Sequence, residues 1–282
     1  MEKNCIICGS DDRKMVFEEE SIPIYRCSRC GHLCSSFRRE ADYAGYFGTT
    51  DLTKDDYFWF NKAHVAMYGD FCRRFIGGRK GRLLDVGCGL GYFIKKISEF
   101  SDWQATGYEI SAPAAKFASE KLGLNDVFCG RVEDSGLPDG SFDIITLWDV
   151  IEHLSEPDRL LSRSQALLSE NGFLFIHTPN ASVQLLKAKI KKTFLGMKQD
   201  IHYLEAKDHL NIYSVRSMIA ILKKNGFNRI EFIHLSPIQG VAGKNDALGR
   251  FLKNLWFYSA FAIAKISGGR INYDNLFVIA RR

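Results

Sequence analysis

No run of apolar residues in this chain reaches the length of a transmembrane helix, so no membrane span is expected. The opening residues, Met1-Glu-Lys-Asn-Cys5, have no apolar core behind them, so no secretory signal is expected either. A large excess of charge of one sign is lacking. The 38 basic and 33 acidic residues leave a net +5, which allows an anionic substrate or surface without demanding nucleic acid. Internal repeats and low-complexity tracts are absent, which excludes a solenoid. What remains is ordinary globular material. The chain has 282 residues, 46% hydrophobic and 25% charged, enough for one large domain and a small module. Eight cysteines in such a chain read as thiols kept reduced in a cytoplasmic setting, not as a disulfide scaffold.

Five of those cysteines fall before Arg38. Cys5-Ile-Ile-Cys8-Gly9 and Cys27-Ser-Arg-Cys30-Gly31 are two CxxCG knuckles with eighteen residues between them. Each knuckle puts two sulfurs on one side of a tight turn, and the glycine after the second cysteine relieves that turn. Cys5, Cys8, Cys27 and Cys30 are therefore the expected ligands of a Zn2+ ion. Four sulfurs leave no open position, so the ion is structural. So short a segment has little core of its own, and the metal supplies its stability. A redox dithiol pair is the competing reading. His32 and Cys34 are substitutes with poorer spacing. Cys72, Cys88 and Cys129 read as small buried fillers.

A different pattern begins at Leu83. The strand Arg82–Val86 ends on Asp85, turns through Gly87, Gly89 and Gly91, and enters a helix from Tyr92 to Phe100. Such glycines allow positive φ and close approach of a ligand, and the helix N-terminus offers free N–H groups. The sixth position of the loop holds Tyr92 where a dinucleotide fingerprint wants glycine. Asp85 would repel a pyrophosphate but hold an ammonium group. A nucleoside ligand with an amino-acid end follows. A second strand ends on Glu109, placed for two ribose hydroxyls.

Asp85-Val-Gly-Cys-Gly-Leu-Gly91, Gly107-Tyr-Glu-Ile110 and Phe142-Asp-Ile-Ile-Thr-Leu-Trp-Asp-Val-Ile-Glu-His-Leu154, in that order, resemble a class I S-adenosylmethionine-dependent methyltransferase. The resemblance covers Gly81 to the C-terminus. It implies an α/β fold, a Rossmann-like seven-stranded mostly parallel sheet with an antiparallel last strand. Before it would lie a zinc-ribbon-like module over 1–37 and a helical cap or linker over 38–80. The methyltransferase domain would fill 81–282, with a hydrophobic helical insertion at about 240–270. The resemblance implies S-adenosyl-L-methionine as cofactor. Gly87, Cys88, Gly89 and Gly91 would cradle its methionine part, and Glu109 with Ile110 would meet the ribose. Val132 through its backbone, and Glu133 or Asp134, would meet the adenine. Arg131 stands where family members often carry that acid, a departure. Trp148 and Asp149 end the fourth strand at the carboxyl edge, where ligands sit in such folds.

The alternation of patterns predicts strands at Arg82–Val86, Gln104–Ile110, Asp126–Cys129, Phe142–Leu147, Gly172–Thr178, Arg229–Leu235 and Asn275–Arg281. Helices are expected near Tyr92–Phe100, Ala112–Leu122, Pro157–Leu168 and Val215–Asn225, with Asn171-Gly172 ending the third. Tyr57, Phe60, His64, Met67 with Tyr68, Phe71 and Phe75 recur at helical spacing and read as a core-facing stripe.

Methyl transfer from a sulfonium needs alignment of the acceptor, exclusion of water and, for a hydroxyl or carbon acid, a base. His153 is the first candidate base, with a structural histidine at a helix start as the alternative. His209 is the second; His202 and Tyr203 share its loop. The Asn/Asp-Pro-Pro-aromatic signature of exocyclic amine methylases is missing from Leu147-Trp-Asp-Val150. O- or C-methylation of a small molecule is expected. By family analogy the acceptor is a sugar on a nucleotide or lipid carrier. The basic, amphipathic Val183–Leu195 and the aromatic Leu248–Ile266 leave open a peripheral contact at the inner membrane face, against a lid helix and a solvated lysine face. Two other readings stand: an RNA methyltransferase gripping RNA with the zinc module, and a non-catalytic cofactor-binding scaffold. The acidic run Glu18-Glu19-Glu20 spoils a basic stripe on the module, so nucleic acid is disfavoured. Oligomeric state is left open.

Overall fold

A computed structural model describes residues 4–37, 64–196, 203–236 and 275–282, with Leu255, Tyr258, Ser259, Ala262 and Ile266, each helical. Tyr57, Phe60, His202 and most of the 240–270 stretch lie outside the described residues.

Three short strands come first: β1 (Arg13–Glu19), β2 (Ile22–Cys27) and β3 (Leu33–Ser35). They pair antiparallel in chain order. Glu20 and Ser21 turn the first hairpin with φ of 49° and 64°, the left-handed conformation that two-residue hairpin loops require.

The main sheet is built by seven strands: β4 (Gly81–Val86), β5 (Trp103–Glu109), β6 (Val127–Cys129), β7 (Phe142–Trp148), β8 (Leu168–Pro179), β10 (Arg229–Ile233) and β11 (Asn275–Arg281). Their order is β10-β11-β8-β7-β4-β5-β6. The five from β8 to β6 run parallel, and β11 lies antiparallel between β8 and β10. Leu83 and Leu84 in β4 are both fully buried, one on each face, as expected of a parallel strand covered on both sides. On one face α4 (Pro157–Leu167) and α6 (Val215–Lys224) pack over Leu84, Ile145, Leu147, Leu174 and Ile176. The other face carries Leu83, Ile144, Phe173 and Phe175, under α1 (Val65–Phe75) and α2 (Tyr92–Ile97). The helix α3 (Ala112–Leu122) follows β5.

Most predicted strands and helices appear within one to three residues of their expected ends. One differs in kind. Asn171-Gly172 does not precede the fifth predicted strand; β8 starts at Leu168 and runs through it. A Cβ on Gly172 would meet the carbonyl oxygens of Phe142 and Asp143 at 3.0 Å. The glycine marks a close backbone approach inside a strand, where the register with β7 shifts, and not a turn. Cys129 also departs from expectation. It is exposed at the edge strand β6, whereas Cys72 is buried.

Between β8 and α6 lie α5 (Ala181–Leu195) and the two-residue strand β9 (Asn211–Ile212). β9 pairs with β3, Leu33 opposite Ile212 and Cys34 opposite Asn211, so the N-terminal strands continue into the chain that follows β8. α5 turns Leu185 and Ala188 toward Phe17, Ile24 and Leu33 of that small sheet. The face carrying Leu186, Ile190 and Phe194 points outward, with Phe194 81% exposed. Among the described residues no helix is long and apolar enough to cross a membrane.

Candidate active site

β4 stops at Val86 because the next residues take φ values open to glycine: 69° at Gly87, 54° at Gly89 and 83° at Gly91. A Cβ on Gly87 would come within 2.6 Å of the Val150 side chain, and one on Gly91 within 2.9 Å of both Ala118 and Leu124. The loop thus turns back between β7 and α3, with Gly91 opening α2. The Gly89 N–H donates to Glu109 Oε2 and the Ser111 N–H to Glu109 Oε1, each at 2.8 Å. Glu109 therefore ties the loop to the end of β5. Burial still lifts its carboxyl above the usual range, against those N–H groups.

Asp85 is 2% exposed and takes one hydrogen bond, from the Thr146 hydroxyl at 2.6 Å. Burial pushes its carboxyl up to about 8, with Thr146 pulling down and Glu109 adding to the rise. Among the described residues no cation pairs with it.

The end of β7 is densely charged. Trp148 is buried among Tyr68, Phe71, Phe93 and Phe175. Asp149 takes the left-handed conformation at φ 53° and lies 2.9 Å from Nδ1 of buried His177. Burial raises the Asp149 carboxyl, but His177, His64 and His153 outweigh it and hold it low. Glu152 is 1% exposed, and among the described residues neither oxygen reaches a hydrogen-bond partner. Burial and nearby Asp149 drive its carboxyl well up. His153 and His209 face each other with ring centroids 5.0 Å apart. His153 Nδ1 lies 2.8 Å from the Asp208 carbonyl, so that nitrogen carries the proton and Nε2 keeps its lone pair. Burial, then the neighbouring His209, lowers His153 to about 4, and burial lowers His209 as well. Both rings are neutral at neutral pH.

The remaining predicted residues are spread along the same edge. Ile110 follows β5 half-buried, and Cys88 is half-buried in the loop. Val132 is buried and Glu133 half-buried in the short turn after β6, while Asp134 is exposed and 3.8 Å from Arg159. His153 and His209, far apart in the chain, come together; Tyr203 instead packs near Phe17 in the small sheet's core. Two residues at the site were not anticipated. His177 follows no motif, and Tyr68, read as part of a core stripe, has a hydroxyl whose acidity both Asp85 and Asp149 suppress after burial itself. His64 was assigned to the core; it is buried and its charge also acts on Asp149.

Among the described residues two clusters can hold a metal. Cys5, Cys8, Cys27 and Cys30 place their sulfurs within 4.8 Å of one another, with Cys5–Cys30 and Cys8–Cys27 at 3.5 Å. That spacing is near the sulfur–sulfur distance of a tetrahedron with roughly 2.3 Å metal–sulfur bonds. Gly9 and Gly31 close the knuckles at φ 70° and 79°, donating to the Cys5 and Cys27 carbonyls. Glu152, His153 and His209 also bring one ligand atom each within 4.8 Å.

A family profile described as a methyltransferase domain matches residues 63–231, more than half of the chain. The chain belongs to the class I S-adenosylmethionine-dependent methyltransferases. It is 33% identical over 120 residues to a ubiquinone biosynthesis O-methyltransferase of Rhodopseudomonas palustris, covering 39% of this chain and 47% of that protein. A Colwellia psychrerythraea protein of the same name is 24% identical over 198 residues, covering 67% of this chain and 78% of its own. The chain thus spans about half the length of the first of these relatives. In fold it is similar to a phosphoethanolamine N-methyltransferase of Haemonchus contortus, with TM-score 0.56 at 19% identity over 88% of this chain and 63% of that one. Asp85 next to the end of β4, Glu109 at the end of β5 and Asp149 just past β7 all lie at one carboxyl edge of the sheet.

Proposed function

We propose that the protein transfers the methyl group of S-adenosylmethionine to a hydroxyl oxygen of a small acceptor. The observation that carries this reading is the His153–His209 pair, two neutral imidazoles 5.0 Å apart beside the end of β7. The cofactor, when bound, supplies an activated methyl on a sulfonium. His153 Nε2 then accepts the proton that the acceptor hydroxyl loses as its oxygen takes the methyl, while Nδ1–H stays on the Asp208 carbonyl. His209 steadies the ring it faces. The O-methyltransferase names of the relatives favour oxygen over carbon.

In this reading Asp85 receives the α-ammonium of the cofactor. A carboxyl held near 8 by burial, with no cation beside it, gains the missing countercharge. Gly87, Cys88, Gly89 and Gly91 lie along the methionine part, Glu109 and Ile110 along the ribose. Val132 and Glu133 meet the adenine, and Trp148 and Asp149 border the transferred methyl. Cys5, Cys8, Cys27 and Cys30 hold a structural Zn2+.

A cavity of about 240 Å³ opens between the N-terminal strands and the main domain, lined by Arg13, His32, Ser155, Glu156 and Asn211. Its lining includes neighbours of His153 and His209, which supports an approach for the acceptor from that side. The outward apolar residues of α5, interleaved with Lys187, Lys189, Lys191 and Lys192, support an acceptor held on a lipid carrier at a membrane surface. A sugar on such a carrier or on a nucleotide is the acceptor class we favour.

Calorimetry with S-adenosylmethionine tests the first half of the proposal. Binding by the parent and at least tenfold weaker binding by Asp85→Ala are expected; no binding by the parent would overturn it. Transfer of labelled methyl into lipid, small-molecule or RNA fractions of a cell extract tests the second. Label confined to RNA would replace this reading with an RNA methyltransferase.

A further inference from the structure

Glu19 closes β1 of the N-terminal sheet, yet its carboxylate is spent on the other end of the protein. It is 4% exposed. Oε1 accepts the Tyr203 N–H at 2.7 Å, and Oε2 accepts those of Leu204 and Ala206 at 2.9 and 3.2 Å. Residues 203–208 form neither helix nor strand, so no regular partner serves these N–H groups. A buried carboxylate is costly unless hydrogen-bonded, and three backbone donors wrapped around it meet that need. The bonds are charge-assisted and hold one loop conformation. Glu205 at φ 58° is part of it. Its carbonyl accepts the N–H groups of Asp208 and His209, at 2.9 and 2.8 Å.

Other groups of the N-terminal sheet grip the same loop. The Ser35 hydroxyl donates to the Ala206 carbonyl at 2.6 Å, and the Ser35 N–H to the Leu210 carbonyl at 3.0 Å. Buried His32 pairs with Asn211 Oδ1 at 3.2 Å, and Asn211 donates to the Leu154 carbonyl at 2.6 Å, one residue past His153. Glu20 pairs with Lys207. The cysteine-rich segment therefore frames the chain between Tyr203 and Ile212 from several sides, and His209 hangs from that frame.

We infer that Glu19 is a positioning residue, which sets the 203–209 backbone and through it the place of the His209 ring against His153. The inference rests on the reading that this histidine pair serves the acceptor. Glu19 touches no reacting atom. It acts by holding a loop that would otherwise sample many conformations, and so keeps His209 in the dry pocket shared with His153.

Glu19→Gln tests it. The substitution keeps the shape but turns an NH2 group toward backbone N–H donors, so one or two of the three bonds are lost. Four readouts apply to the full zinc-loaded protein. Amide exchange at Tyr203, Leu204 and Ala206 is expected to speed at least tenfold. The His209 ring resonances and their Overhauser contacts to His153, followed by NMR at fixed neutral pH, are expected to move and weaken as the ring leaves its place 5.0 Å from His153. The groups facing that ring are Glu205 at 3.3 Å, Asp208, Asp149, Glu19 and His153. Losing the Glu19 charge alone would leave the Overhauser contacts in place, so their loss reports release of the loop. Binding of S-adenosylmethionine and zinc content are expected to stay within twofold of the parent, which a general loss of structure would not allow. Unchanged amide exchange with an unmoved His209 overturns the inference. Ser35→Ala, which removes the hydroxyl's bond to the Ala206 carbonyl and the one it accepts from the Phe37 N–H but leaves Glu19 in place, is the milder second variant. It should weaken the His209–His153 contacts by less, and if Glu19→Gln does not fold, an unmoved His209 in Ser35→Ala overturns the inference. Failure of the parent to bind S-adenosylmethionine would sink the proposed activity while leaving the exchange and ring-contact results to judge Glu19 separately.

Discussion

Asp149 Oδ1 and His177 Nδ1 lie 2.9 Å apart, and the pair joins two neighbouring strands at the carboxyl edge of the sheet. The register of β7 on β8 sets Trp148 opposite His177, and the left-handed turn at Asp149 swings its carboxylate back over the ring. The contact gives the site a fixed negative charge next to two neutral histidines.

That pair should be visible in acid. The Asp149 carboxyl is depressed by His177, so its stabilisation is present above the ordinary carboxylate range near 4 and is lost as pH falls through the depressed folded value. In His177→Phe the depression disappears, and loss of stability should set in at higher pH than in the parent. Urea midpoints measured from neutral pH into acid would check this; identical acid limbs would count against the pairing.

Asp85 should show the opposite slope. Its folded carboxyl sits at about 8, above the unfolded value near 4, so the ligand-free protein is most favoured below that lower value. Stability attributable to Asp85 then declines as pH rises from about 4 to about 8. Asp85→Asn should flatten that decline and make the ligand-free protein more stable at pH 8, while binding S-adenosylmethionine at least tenfold more weakly. In the parent, affinity for the cofactor should rise with pH up to about 8, because the ammonium favours the ionised carboxylate. Thermal melts and calorimetry over that range measure both.

Metal analysis should find about one zinc per chain, absent in Cys27→Ala. Structural zinc contributes about 10–16 kcal/mol of binding free energy in small zinc-dependent folds. Chelation should therefore melt β1 to β3 before the main sheet. Because β3 pairs with β9, proteolysis near residues 203–210 should accelerate in the same step. A cysteine set that oxidises reversibly without binding zinc would favour the redox reading.

The outward face of α5 offers a separate test. Phe194→Asp together with Ile190→Ser should reduce sedimentation with anionic phospholipid vesicles several-fold and change stability by no more than about 0.5 kcal/mol, since both side chains are exposed. Equal sedimentation of parent and variant would remove the membrane surface from the proposal.

The parallel sheet was readable because its signals are local. Leu83-Leu84-Asp85 followed by three alternating glycines is a strand, a turn and a helix start in any surroundings. Gly172 misled because a glycine after asparagine looks the same at a turn as at a close strand contact. Only the carbonyls of Phe142 and Asp143, distant in sequence, tell the two apart. His177 was invisible for a related reason: its role comes from a neighbouring strand.

Taken alone, the order of residues determined the alternating α/β plan, the sulfur quartet and the carboxylates at the strand ends, since periodicity, spacing and turn chemistry act over a few residues. Tertiary structure alone decided that His153 meets His209, that His177 holds Asp149, and that Glu19 reaches the loop beyond α5. Those are meetings of groups far apart in the chain, and they exist only once strand register and buried hydrogen bonds bring the backbone together.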